Sequence, residues 1–331
     1  MITYRSGSVS QAPCANRSMA QLTWRIPCRG SGLSRHLTFV RPRAGRHFLC
    51  DPRTFAEVYW QPPGRNQAQG GDLETIDLRS KIEDYSAFQR EVGPKLCARV
   101  NTYISPRDSM YPEDALYYLR CGSNALRLVK DSLRVAGVNA GSIGSFLDYA
   151  CGYGRVMRWL AAGFPRAEAL GVDADQAAIG FCAENLGIQV QRADISLRNR
   201  LERKFDLIWV GSLFTHVTEE YALHLLAYLR DHLTPIGVLV FTTHGPYVAS
   251  RVRAGEKAYG LEARERRKLF QEFDESGYGF GAYPGRVDYG VSVCSAEKIF
   301  GLMARTNLTP IFYESRGWVR HQDCVAGTIR G

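Results

Sequence analysis

The sequence predicts an α/β fold in which a parallel sheet carries helices on both faces. From about residue 145 onward, short apolar segments alternate with amphipathic helical segments, the pattern of repeated β-α-β units. The first of these strands turns on Gly152 and Gly154 directly into a helix. Two successive strands also close on carboxylates, Asp148 and Asp173, at the edge where open parallel sheets bind ligands.

The N-terminal segment differs in charge from the rest of the chain. Residues 1–50 contain eight arginines and neither lysine nor acid, although the whole chain has a net charge of +9. Hydrophobic residues there follow no period, so we predict a disordered basic arm and linker over residues 1–77. It could bind RNA or phosphate, act as an organelle transit peptide, or be upstream sequence ahead of a start at Met19 or beyond. A dispensable extension is favoured, and nucleic acid is not an expected partner.

Composition excludes several other classes of protein. The apolar fraction of 45% is enough for a real core, and no apolar run is long enough to cross a bilayer. The nine cysteines are scattered, odd in number and without a C-x-x-C pair, which predicts neither a disulfide framework nor a zinc cluster. A reducing, cytoplasmic location is the simplest expectation.

Residues 78–144 predict a helical cover that precedes the sheet. We expect one helix over residues 82–92 and a second from Tyr111 to Arg120 that Gly122 stops. A third helix is expected to begin at Ser123 as N-cap and to end at Gly137.

The remaining elements follow in order over residues 145–331. Strands are predicted near 145–149, 168–172, 187–192, 205–210, 236–243, 309–315 and 323–329. Helices are predicted over 155–163, 175–185, 197–203, 219–232 and 296–304, with Thr218 and Ser295 as N-caps. An insertion after the fifth strand spans 245–294; its first half is helical and its second half alternates glycine with aromatic residues.

Several motifs together resemble class I S-adenosylmethionine-dependent methyltransferases. The resemblance rests on the Leu147-Asp148-x-Ala150-Cys151-Gly152-x-Gly154 loop, Asp173, Ala193-Asp194-Ile195, the strand Phe205-Asp206-Leu207-Ile208-Trp209 with Ser212-Leu213-Phe214-Thr215-His216, and Pro235-x-Gly237. It implies a Rossmann-like seven-stranded methyltransferase sheet of order 3-2-1-4-5-7-6, with S-adenosyl-L-methionine as cofactor. A nicotinamide oxidoreductase is disfavoured because Met157 stands where the dinucleotide fingerprint needs a small residue.

The resemblance also implies roles for individual residues. An acidic residue at Asp173 suits the two ribose hydroxyls. The resemblance assigns Asp194 to the adenine amino group and Ile195 to the adenine ring. The complete expected cofactor site is Asp148, Ala150, Gly152, Gly154, Asp173, Ala174, Asp194, Ile195 and Ser212.

The expected chemistry is attack on a sulfonium methyl group. Alignment matters most, and a neutral alcohol acceptor also needs a base, which suits an imidazole. His216 or His244 is predicted to be that base, and His321 lies at a third strand end. No local spacing of ligands predicts a metal site.

The acceptor is expected to be a small molecule or glycan, methylated on oxygen. The fourth strand lacks both the Asn/Asp-Pro-Pro-aromatic motif and the Pro-Cys nucleophile of base-directed enzymes. The insertion could form an acceptor lid or an ordered surface loop. Expected acceptor residues are Tyr117, Tyr118, Tyr283, Tyr289, Trp318 and His321. The alternatives are an RNA or protein methyltransferase using the basic arm, and a non-catalytic nucleotide-binding scaffold.

Overall fold

A computed structural model of the chain describes residues 74–198 and 200–329. Almost all of the predicted arm and linker, residues 1–73, lies outside the described residues. The predictions of disorder, RNA binding and an upstream start therefore fall outside the described part of the chain. No helix within the described residues is long and apolar enough to cross a membrane.

The described chain begins with a small helical cover. Strands β1 (Ile76–Asp77) and β2 (Tyr103–Ile104) pair antiparallel, and between them lie α1 (Tyr85–Val92) and α2 (Pro94–Cys97). A longer helix, α3 (Ala115–Val135), follows. Its N-cap is Asp114, whose carboxylate accepts from the backbone N–H of Tyr117 at 2.8 Å.

Helix α3 corrects the predicted break at Gly122. Gly122 does not stop a helix and Ser123 does not begin one, because α3 runs through both positions. Gly122 is buried where the helix packs on Trp159, so the glycine is there for a close approach of two helices. From sequence alone, a glycine at this place in a helical pattern predicts the end of the helix.

The first five strands of the central sheet alternate with helices, except between the third and fourth strands. In chain order the elements are β3 (Ser145–Tyr149), α4 (Met157–Gly163), β4 (Glu168–Asp173), α5 (Gln176–Leu186), β5 (Gln189–Arg192), β6 (Phe205–Val210), α6 (Glu219–Asp231) and β7 (Leu233–Thr243). Thr218 caps α6 as predicted, accepting from the Tyr221 N–H at 3.2 Å. The helix predicted over 197–203 is absent from the described residues of that range, 197–198 and 200–203.

The insertion is more regular than the sequence suggested. It contains α7 (Pro246–Arg253), α8 (Ala263–Ser276) and an antiparallel hairpin of β8 (Tyr278–Ala282) and β9 (Gly290–Cys294). Glycines in β8 and β9 allow close backbone contact: a Cβ on Gly281 would lie 2.9 Å from the Glu265 carbonyl oxygen of α8. The first part of the segment of alternating glycine and aromatic residues therefore forms a strand, and residues 283–289 connect it to β9.

The chain closes with α9 (Ala296–Arg305), β10 (Thr309–Trp318) and β11 (Gln322–Thr328). Across the sheet the order is β5-β4-β3-β6-β7-β11-β10, with β11 antiparallel to both neighbours. Numbered along the chain within this sheet, the order is 3-2-1-4-5-7-6, which confirms the predicted fold class.

Hydrophobic residues on the two faces of the sheet form two cores. Phe146 packs with α3, α4 and the cover, whereas its neighbour Leu147 packs with α6 and α9. This alternation follows from the two-residue period of a strand, and burial on both faces explains the nearly continuous apolar strand sequences. The sheet is thereby fixed, and its carboxyl edge presents the loops of the candidate site.

Candidate active site

The glycine loop after β3 is built from left-handed backbone. Ala150, Gly152 and Gly154 have φ of 65°, 52° and 77°. The backbone N–H groups of Ala150 and Cys151 both donate to the Val172 carbonyl, at 2.7 and 3.1 Å. A side chain on Gly154 would overlap Leu186, whereas one on Gly152 would meet no atom within 4 Å. Gly154 is therefore needed for packing, and Gly152 faces open space.

Asp148 is a buried acid beside this loop. It is 2% exposed, and its Oδ2 has no hydrogen-bond partner among the described residues. Burial, and to a smaller extent the Asp173 carboxylate, raises the pKa of Asp148 to about 8. An acid with an unused buried oxygen at the edge of an open loop is a suitable place for a polar cofactor group.

Asp173 connects the end of β4 to the glycine loop. One of its carboxylate oxygens accepts from the Gly152 N–H at 2.8 Å and the other from the Asp175 N–H at 2.9 Å. Burial raises the pKa of Asp173. Each oxygen keeps a lone pair, so the carboxylate can still accept from two neighbouring hydroxyl groups while Ala174 follows it in the loop.

The Asp194 turn lies next to Asp173, since the Ala193 N–H donates to the Asp173 carbonyl at 2.8 Å. The Asp194 carboxylate accepts from the backbone N–H groups of Ser196 and Arg198, both at 3.0 Å. These bonds hold residues 194–198 in a turn. The following Ile195 is held through its carbonyl by the Tyr221 hydroxyl at 3.0 Å.

Ser212 follows β6 in a strained conformation, with φ of 61°. Its N–H donates to Thr242 Oγ1 at 2.9 Å, and its hydroxyl oxygen accepts from Gln322 Nε2 at 2.9 Å. Thr242 Oγ1 in turn donates to Gln322 Oε1 at 2.6 Å. This closed network joins the ends of β6, β7 and β11.

His216 stands in the same loop and is held by the insertion. Its Nδ1 lies 2.7 Å from the Gly290 carbonyl oxygen. Because that oxygen can only accept, Nδ1 carries the proton and a neutral ring keeps its lone pair on Nε2. The ring stacks on Tyr289 at 5.2 Å between centroids, and Tyr283 Oη lies 3.4 Å from Nδ1. Burial lowers the pKa of His216, so the ring is neutral at neutral pH.

His244 and His321 continue a row of imidazoles from His216. The ring centroids are 6.4 Å apart for His216 and His244, and 5.6 Å for His244 and His321. His244 is 2% exposed, and burial lowers its pKa well below the usual value. His321 Nε2 lies 2.5 Å from the Tyr259 hydroxyl. Burial and nearby cations lower the pKa of His321 to about 4, so the hydroxyl donates to a neutral ring.

Residues 146–237 match a family model described as a methyltransferase domain. The matched segment runs from β3 into the first half of β7 and includes the glycine loop, the Asp194 turn and His216. The chain carries a class I methyltransferase domain. Its cofactor is S-adenosylmethionine, and the protein is a methyltransferase enzyme. A search of curated proteins returned no match.

Solved structures of methyltransferases resemble this methyltransferase in architecture. An S-adenosylmethionine-dependent methyltransferase from Clostridium acetobutylicum aligns at 14% identity and TM-score 0.46, over 63% of this chain and 92% of that one. Human N-acetylserotonin methyltransferase in complex with its cofactor aligns at 14% identity and TM-score 0.41, over 74% of this chain and 59% of that one. The glycopeptide N-methyltransferase MtfA aligns at 12% identity and TM-score 0.42, over 62% of this chain and 90% of that one. These values do not indicate this methyltransferase's acceptor.

Two predicted acceptor residues of the methyltransferase lie in its core instead. Tyr118 is 0% exposed, and its hydroxyl donates to Asp108 at 2.6 Å. Trp318 is 2% exposed, donates from Nε1 to the Cys121 carbonyl at 2.9 Å, and packs on Trp209. Neither side chain can contact an acceptor without leaving its hydrogen bond and packing. Tyr117, by contrast, is 43% exposed.

Sequence reasoning missed two residues that hold the methyltransferase site together. Arg158 is 2% exposed, and its guanidinium donates to the carbonyls of Gly154, Tyr153, Asn101 and Tyr103 at 2.7–3.1 Å. It thereby fastens the glycine loop to the cover. Tyr259, on the insertion, had no signal because only the tertiary structure places it against His321.

Proposed function

We propose that this methyltransferase methylates an oxygen of a small-molecule or glycan acceptor in the cytoplasm. Bound S-adenosylmethionine supplies an electrophilic methyl group. Gly152 and Asp148 border the open space at the end of β3, and Asp173 offers two oxygens to the ribose hydroxyls. Ser212 borders the site after β6. The described cysteines are free thiols, which supports a reducing location.

The adenine position is proposed at the Asp194 turn. Asp194 and Ile195 follow β5, beside Asp173, so the adenine and ribose groups would occupy adjacent strand ends. The Asp194 carboxylate also accepts from its own turn, so its direction is fixed before a ligand arrives. A fixed acceptor loses little conformational entropy when it binds an amino group.

The observation that carries the proposal is the state of His216. The Gly290 carbonyl holds the proton on Nδ1, which leaves Nε2 as a neutral base. His216 is partly accessible, whereas His244 is almost completely buried, so we assign the base to His216. His244 is then a neutral neighbour, because burial and the adjacent imidazoles of His216 and His321 all lower its pKa.

The acceptor is proposed to lie between the insertion and the cover. Tyr283 and Tyr289 contact His216 from the hairpin of β8 and β9, and the exposed Tyr117 lies on α3. Such rings can stack on a sugar or flat ring and bring its hydroxyl to the base. Binding in this place would also exclude water from the transferring methyl group.

The test is a transfer assay with a matched histidine variant. Calorimetry should first show S-adenosylmethionine binding to the full chain. Transfer of labelled methyl to fractionated glycan and metabolite extracts should then identify an acceptor. His216→Ala should lower turnover by about 10²–10⁴-fold with cofactor affinity unchanged.

His224→Ala is the control, because His224 is exposed on α6 and outside the site. Undiminished turnover in His216→Ala would remove the base assignment, and absence of heat with the cofactor would remove the proposal itself.

A further inference from the structure

Three cations surround His321 on the side formed by the insertion and the β10–β11 turn. The Arg316 guanidinium carbon lies 3.9 Å from the Tyr247 ring centroid, and the Arg251 guanidinium carbon lies 5.8 Å from it. The Lys257 ammonium lies 4.6 Å from the Tyr259 ring centroid. Arg251, Lys257 and Arg316 are called the cationic rim below.

The two tyrosine rings place the cationic rim beside the row of histidines. Their centroids lie 6.4 Å (Tyr247) and 6.2 Å (Tyr259) from that of His321. His321 in turn contacts His244, which contacts His216. The rim is therefore part of the same site and not a separate surface patch.

Two of the three rim cations form no ion pair within residues 74–198 and 200–329. Arg251 is paired with Glu256 at 2.8 Å. The Arg316 guanidinium donates only to the Arg320 carbonyl at 3.2 Å, and Lys257 contacts only a ring. The nearby Asp323 carboxylate accepts from the Tyr313 hydroxyl at 2.6 Å and the Arg316 backbone N–H at 2.8 Å, and its charge interacts with Arg316 without forming an ion pair. Counted against the carboxylates of Glu256 and Asp323, the three rim cations still leave an excess of positive charge.

Two other cations that lie over aromatic rings at the protein surface are each paired with a carboxylate. Arg253 lies over Phe270 and pairs with Asp274 at 2.7 Å. Lys268 lies over Phe280 and pairs with Glu272 at 3.7 Å. Among the described residues, Arg155 and Arg158 over Tyr118 also form no ion pair, but neither side chain is exposed. Lys257 and Arg316 are exposed and form no ion pair within this part of the chain, unlike Arg253 and Lys268.

The backbone that presents the rim is strained. Arg316, Val319 and Arg320 have φ of 55°, 47° and 58°, and Tyr259 has φ of 51°. Such conformations are rare for residues with a side chain and rarest for a β-branched one such as Val319. Strained backbone of this kind is concentrated at ligand-binding sites, where the surrounding fold maintains it.

We propose that the acceptor carries an anionic group, a carboxylate or a phosphate, that binds at Arg316 and Lys257 beside His321. This inference rests on the proposed function and names the chemical class of its acceptor. The planar guanidinium of Arg316 can donate two parallel hydrogen bonds to either anion. Arg316 and Lys257 lie against the rings of Tyr247 and Tyr259, and these rings would border the rest of the acceptor. The anion would fix the acceptor at one end while His216 receives a proton at the other.

The test uses the imidazole signal of His321 in the full chain, observed by NMR with labelled histidine. His321→Gln assigns the signal. Inorganic phosphate and acetate are titrated separately against chloride at constant ionic strength, which distinguishes phosphate from carboxylate recognition. At least one anion should shift the signal with a saturating curve. Lys257→Gln and Arg316→Gln should each weaken this binding by about tenfold.

Lys268→Gln and Arg253→Gln are the matched controls, since each removes a cation from an aromatic ring elsewhere. They should leave the titration unchanged. A linear response to both anions, or an equal affinity in Arg316→Gln and the wild type, would overturn the anion site.

The anion site and the proposed function fail in different ways. Transfer to a neutral acceptor, with a KM that Arg316→Gln and Lys257→Gln leave unchanged, would overturn the anion site and leave the methyltransferase proposal standing. A saturating anion titration without methyl transfer to any acceptor would support the anion site and overturn the proposed function. Transfer to an anionic acceptor with KM raised in both variants is the expected result.

Discussion

Gly122 offers a test in which helix propensity and packing predict opposite changes in stability. For Gly122→Ala, propensity predicts a higher free energy of unfolding and packing predicts a lower one. An alanine in place of a helix-interior glycine ordinarily raises the free energy of unfolding by about 1 kcal/mol. In α3, however, the added Cβ would overlap the Trp159 indole and lie 2.6 Å from the Arg155 carbonyl oxygen. Trp159 is 1% exposed, so the ring cannot swing into solvent.

The expected result for Gly122→Ala is a net loss of stability. Overpacking of this kind costs about 1–3 kcal/mol, and a backbone oxygen among the overlapping atoms places this site at the upper end. Subtracting the gain in propensity leaves a loss of about 1–2 kcal/mol. Urea unfolding of the full chain, followed by far-UV circular dichroism, measures the difference.

Gly180→Ala is the matched control. Gly180 also lies inside a helix, α5, but a Cβ there would meet no atom within 4 Å. This variant should be more stable than the wild type by up to about 1 kcal/mol. If Gly122→Ala is stabilised as much as Gly180→Ala, the close packing of α3 on α4 is refuted.

Three further predictions concern the glycine loop after β3 and the residues that adjoin it. Ala150→Gly should raise the free energy of unfolding by about 0.5–1 kcal/mol in urea titrations, because relief of the left-handed φ of 65° exceeds the added entropy of the unfolded chain. Asp148→Asn should reduce the pH dependence of stability. The folded pKa of Asp148 is raised to about 8, so its contribution is complete below pH 3.8 and is lost as pH rises through 8; thermal unfolding across this range should show a shallower decline in the variant. Arg158→Met should destabilise the chain by about 3 kcal/mol or more and raise the cofactor Kd in calorimetry, since four carbonyl groups lose their donor.

The strands of the sheet could be predicted because their signal is local. The predicted strand over 205–210 coincides with β6, and that over 145–149 with β3. Both are short apolar runs bounded by polar or glycine-rich turns, and burial on both faces leaves little ambiguity. The strand order followed from the family resemblance, since local pattern does not determine which strands become neighbours.

Three errors share one physical origin, which is contact between residues distant in the chain. Gly122 was predicted to end a helix because its partner, Trp159, is unknown until the helices pack. Tyr118 and Trp318 were predicted to contact the acceptor, but the Tyr118 hydroxyl and the Trp318 indole N–H donate to buried partners outside their own helix or strand. The glycine-rich hairpin was taken for a loop because its glycines fit against the backbone of α8.

We expect the hairpin of β8 and β9 to couple the proposed acceptor contacts to the protonation state of the proposed base, His216. Gly290 and Ser292, two residues apart on β9, each direct a main-chain oxygen at a histidine, at 2.7 Å from His216 and 3.2 Å from His244. Since these oxygens belong to the main chain, the tautomers depend on strand pairing and hardly on which amino acids occupy the two positions. Sliding β9 by a single residue would withdraw both oxygens at once and reverse its inward and outward faces. Variation in the tip of the hairpin can therefore change which acceptor fits, provided that its length keeps the pairing of the strands.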